Sequence, residues 1–89
     1  MKIIVMKLTD GTEVVAGVSD TSGTVDNLHV DKPRVLFHDG NQGGLMPYFI
    51  SAPDQKNIPI AKSNIIASFE APKPLADSYL QMTTSILLG

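Results

Sequence analysis

IPIAKSNIIASF, residues 58–69, is the stretch on which the reading of this chain turns. Two apolar runs flank Lys62-Ser63-Asn64. Ser and Asn side chains bond nearby backbone groups, and Asn tolerates the left-handed region, so the three residues read as a sharp corner. The flanks are too short for helices and rich in β-branched residues, which predicts strands over 58–61 and 65–70. Pro59 stands at the start of the first, where a missing N–H is tolerated.

The rest of the chain keeps this rhythm of short strands and turns. Residues 2–8, KIIVMKL, read as a strand, although Ile3, Val5 and Leu8 cannot all share one face of a regular one. Asp10-Gly11 follows between apolar runs and predicts a hairpin, because Gly takes positive φ without a Cβ clash. Residues 13–18, EVVAGV, are the return strand. Gly17 inside it signals a bend, a bulge or close backbone packing. Residues 19–33 are polar and read as an excursion with a short strand over 28–30. Residues 34–38, RVLFH, predict a further strand, residues 39–44 a glycine-rich turn, and residues 45–51 a strand that Pro47 confines to an edge or a bulge.

The C-terminus changes period. Leu75, Tyr79, Met82 and Ile86 recur at helical spacing, which predicts a helix over about 74–85 with Pro74 at its first position. Asp77 is placed in the first turn, where a negative charge suits the helix dipole. The apolar end Ile86-Leu87-Leu88 needs a cover, from the barrel or a neighbouring chain. The strand connections are too short for βαβ crossovers, so the sheet is antiparallel. The expected architecture is a single domain, 1–89: mainly β, a strongly bent small barrel of five to six strands over about 2–70, with a C-terminal α-helix.

Composition narrows the function. The chain has no Cys, which excludes disulfides and cysteine metal sites. No apolar run approaches the roughly 18 residues of a membrane span, and the N-terminus lacks a signal-peptide pattern. A cytoplasmic protein without a membrane partner is expected. The net charge of −2 argues against coating nucleic acid by bulk charge. Nothing resembles a nucleophile elbow, a phosphate loop or a set of metal ligands, so neither catalysis nor a cofactor is expected. Lys62 and Asn64 offer a cation for phosphate and an amide for a base edge; their ordinary role is a solvated turn. His29 can stack on a base, or simply sit in a polar loop. Arg34 reads as a strand-surface charge, with phosphate contact as the alternative. Tyr48 and Phe49 would point to opposite faces of a strand, and an exposed Tyr48 suits an interface.

Two blocks resemble one family. VMKLTDGTEVVAGV is similar to the first Sm motif, with Leu8, Asp10, Gly11 and Gly17 at the matching positions. IPIAKSNII resembles the second, with Lys62 for its Arg, Ser63 for its Gly and Asn64 for its Asn or Asp. In pattern the chain looks most like the small Sm-like proteins of bacteriophage or marine metagenomic type. The resemblance implies a strongly bent five-stranded sheet, subunits joined edge to edge in a homo-oligomeric ring (hexamer or heptamer), and single-stranded RNA near the central hole. It further implies an RNA site of Lys62, Ser63 and Asn64, with Asn27 or His29 opposite and Arg34 on the alternative alignment of the loop motif. The chain departs from the family in lacking a helix before the first strand and a recognisable stacking loop. The C-terminal helix is expected to cover the open barrel end instead. The alternative expectation is a structural or protein-interaction ring, phage-associated, that ignores RNA.

Overall fold

A computed structural model describes residues 1–19, 23–40 and 42–84. Six antiparallel strands form one open sheet, and a single helix follows: β1 (Lys2–Leu8), β2 (Glu13–Val18), β3 (Asn27–Asp39), β4 (Gln42–Pro47), β5 (Ile58–Ala61), a 3-10 turn (Lys62–Asn64), β6 (Ile65–Glu70) and α1 (Lys73–Thr83). The sheet order is β4-β3-β2-β1-β6, and β5 pairs with the first half of β3.

The sequence of β1 is explained by burial on both sides. Met6 and Leu8 join Val14, Ala16, Val30 and Ile60 in the inner core of the bent sheet. Ile3 and Val5 face the opposite way and pack with Val15 and Tyr79 in a second core. The helix closes that second core with Leu75, Ala76 and Leu80, over Leu36 and Leu45 of β3 and β4. It therefore lies across a face of the sheet, not over an end of a barrel.

Turn chemistry sets the first hairpin. Gly11 has φ +92° and its N–H bonds the Leu8 carbonyl at 2.9 Å, as expected of Asp-Gly. The strand predicted over 28–30 and the one over 34–38 are instead a single strand of 13 residues. Pro33 does not break it, because the chain bends at Lys32 (φ +49°) and the pairing with β2 shifts register between Val15 and Gly17. The next hairpin is also corrected. Gly43 and Gly44 are not turn residues but pair with His38 and Phe37 inside β4. The Phe37 ring covers Gly44 so closely that a Cβ there would lie 2.8 Å from it. The ladder stops at Pro47, so residues 48–51 are not strand.

Helix α1 begins at Lys73, one residue earlier than expected, with Pro72 as its cap and Pro74 inside the first turn. No acidic residue lies in that turn; Asp77 sits later and pairs with Lys73 at 2.9 Å. Ile86 and the apolar end Ile86-Leu87-Leu88 lie outside the described residues.

Candidate functional site

Three segments meet at the corner between β5 and β6. The amide of Lys62 donates to the Asp26 carbonyl at 2.9 Å, and Asn27 pairs with Ala61 across the β3–β5 ladder. The amide of Thr9 donates to the Asn64 carbonyl at 2.8 Å, and the Thr9 hydroxyl donates to Asn64 Oδ1 at 3.1 Å. The strand–turn–strand sequence thus brings Asn27 beside Lys62-Ser63-Asn64 and fastens both to the β1–β2 hairpin.

Lys62, Ser63 and Asn64 are all exposed, and Asn27 is half-buried. The corner offers an ammonium, a hydroxyl and side-chain amides, which suit phosphate and base-edge contacts. Its electrostatics are mixed, since Asp10 and Asp26 stand on the segments bonded to it. The Thr12 hydroxyl and amide hold the Asp10 carboxyl below the usual carboxylate range; the amide contact is 2.9 Å. Asp10 thus stays negative beside the hairpin that carries Thr9.

His29 follows Asn27 by two residues on the same side of β3, opposite Pro59. Its Nδ1 lies 2.9 Å from Asn57 Oδ1, which ties it to the loop before β5. Arg34 is elsewhere, and its reading as a surface charge is corrected. Only 4% of it is exposed. The guanidinium donates to the carbonyls of Lys32, Pro33 and Pro53, to Asp54 Oδ1 at 2.8 Å, and to Met82 Sδ at 3.3 Å. Strand alternation puts Arg34 on the helix-covered face, and that face is buried here. Among the described residues no three His, Cys, Asp or Glu side chains gather as a metal site.

The sequence reading missed the apolar surface beside β5. A groove of about 230 Å³ is lined by Phe49, Ser51, Ala52, Gln55 and Ile58. Tyr48 is not the exposed ring: it is half-buried against the inner core, and Phe49 meets it edge to face at 4.8 Å. Leaving the ladder after Pro47 turns the second ring outward. On β6, Ile66 and Phe69 are 64% and 57% exposed. By alternation Phe69 would share the face of Ile65, but a bulge between Lys7 and Leu8 shifts the pairing and puts Phe69 on the other face.

Among the described residues no helix is long and apolar enough to cross a membrane. No family model matches the chain, and no curated protein matches it.

Proposed function

We propose that the chain is an Sm-like subunit of a cytoplasmic homo-oligomeric ring, of six or seven copies, that binds single-stranded RNA at the β5–β6 corner. The juxtaposition of Asn27 with Lys62-Ser63-Asn64 carries this reading. These residues come from distant parts of the sequence and match the two sides of the site that the resemblance implies. In this reading Lys62 neutralises a phosphate, while Asn27 and Asn64 address base edges. The ring draws support from the strand edges. Among the described residues β5 and β6 each pair on one side only, and an unpaired ladder invites a neighbouring chain.

Native mass spectrometry of protein purified at low salt tests both parts. A hexamer or heptamer with extra mass that ribonuclease removes is the expected result. A monomer at micromolar concentration overturns the ring, and a ring that takes up no RNA overturns the ligand.

A second reading is a protein-interaction ring, phage-associated, without RNA. The apolar surface favours it: Phe49, Ile50, Ile66 and Phe69 are exposed, while Lys62, unpaired among the described residues, shares the corner with Asp10 and Asp26. Replacing Phe49 would then abolish the partner's binding, and replacing Lys62 would not.

A further inference from the structure

Helix α1 has 11 residues, too few to stay helical in water without a surface to dock on. Its C-terminal half is tied to the kink of β3. Lys32 Nζ donates to the Thr83 carbonyl at 3.1 Å, and Arg34 Nε donates to Met82 Sδ at 3.3 Å. The second contact joins unlike environments: Arg34 is 4% exposed, whereas Met82 is 40% exposed. A buried guanidinium therefore has, as the acceptor of its Nε–H, the sulfur of a partly exposed side chain.

We propose that Met82 is a peroxide-sensitive latch for helix α1. Hydrogen peroxide transfers one oxygen atom to the thioether, giving the sulfoxide and water. The sulfur loses two electrons and the peroxide is reduced. The added oxygen has no room between Sδ and Nε at 3.3 Å, since a nitrogen–oxygen hydrogen bond alone spans about 2.9 Å. The side chain must retreat outward, and it becomes polar where it had lain along the helix–sheet seam. The sulfoxide oxygen can take over the Arg34 Nε–H only from further out than the sulfur had lain, so it is the displacement and new polarity of Met82, not the loss of an acceptor, that strains the end of the helix.

Release of the helix would uncover Ile3, Val5, Val15, Leu36 and Leu45, the apolar face it closes. Arg34 also holds Pro53 and Asp54, so the same event loosens the loop that forms the groove beside β5. Among the described residues no buried cation bonds the other exposed sulfurs, Met1 and Met46, and Met6 is only 1% exposed. The effect is thereby assigned to one methionine.

The test treats the full chain with hydrogen peroxide and locates sulfoxide by peptide mass mapping. Hydrogen exchange is then read over residues 73–84. Amides of the helix should exchange at least about fivefold faster once Met82 is oxidised. Methionine sulfoxide reductase should restore their protection. Met82→Leu should keep the helix protected through the same treatment. Unchanged exchange with Met82 fully oxidised overturns the proposal. So does equal loss of protection in Met82→Leu, which would place the effect on Met1 or Met46. The oxidised wild-type chain is itself a test, should the variant fold poorly.

Discussion

The hydroxyl of Tyr79 accepts the backbone N–H of Gly17 at 3.1 Å and shares its proton between the carbonyls of Asp31 (2.9 Å) and Lys32 (3.1 Å). One side chain of the helix thus satisfies three backbone groups at the place where β2 and β3 slip register. Tyr79→Phe keeps the ring and removes all three bonds. The variant should lose about 1 to 3 kcal/mol, because the Gly17 N–H is left buried without a partner. Urea denaturation checks this; an unchanged midpoint at constant slope would mean that water replaces the hydroxyl.

The same hydroxyl predicts an alkaline limit. Burial pushes the Tyr79 phenol up to about 12, above its ordinary 10.0. The folded state therefore holds this proton more tightly than the unfolded state. Its contribution is fully present below pH 10 and is lost as pH rises towards about 12. That shift corresponds to roughly 2 to 3 kcal/mol. Stability measured between those limits should fall steeply in the wild type and less steeply in Tyr79→Phe. Parallel curves would overturn the assignment to Tyr79.

Most of the strands were legible, because alternation and turn chemistry act locally. Asp10-Gly11 set its hairpin through positive φ, and the corner at Lys62-Ser63-Asn64 followed from residues that favour turns. What misled the reading was not local. Pro33 looks like a strand breaker, yet β3 runs through it because the bend falls on Lys32 and the adjacent ladder slips. Arg34 looked like a surface charge because a strand shows only which residues share a face. Whether that face is covered depends on a helix that begins 39 residues later. The RNA residues named from the resemblance divide accordingly. Asn27 and Lys62-Ser63-Asn64 share one corner, His29 is tied to the next loop, and Arg34 is buried under the helix.

Two glycines should respond differently to alanine. At Gly17 an added Cβ would lie 2.7 Å from Met1 Sδ, the end of an exposed and flexible side chain. Met1 can swing aside, so Gly17→Ala should cost less than about 1 kcal/mol. At Gly23 the backbone has φ +102°, and the Cβ would lie 2.8 Å from the Asn27 carbonyl. Neither the conformation nor a backbone atom yields readily, so Gly23→Ala should cost more than about 1 kcal/mol. The Thr24–Asn27 turn beside the candidate site should loosen with it. Thermal melts of the two variants give the comparison, and equal shifts would contradict it.

Lys62 and Arg34 should separate binding from folding. Lys62 is exposed and its ammonium bonds no group among the described residues, so Lys62→Ala should change stability by less than about 0.5 kcal/mol. If its ammonium neutralises a phosphate, RNA affinity should fall and the slope of log affinity against log salt should flatten by about 1. Arg34→Ala should instead destabilise the chain by roughly 2 to 4 kcal/mol, because buried carbonyls of the β3 kink and of Pro53 lose their donor. Arg34→Lys should not rescue it, since an ammonium cannot reproduce five planar donors that reach the kink, the loop and the helix together. Fluorescence anisotropy with a single-stranded RNA at several salt concentrations reads the first effect, and chemical denaturation reads the second. A fall in affinity for Arg34→Lys at full occupancy of the folded state would return Arg34 to the binding surface. An unchanged salt slope for Lys62→Ala would leave the corner as a structural joint between β5, β6 and the first hairpin.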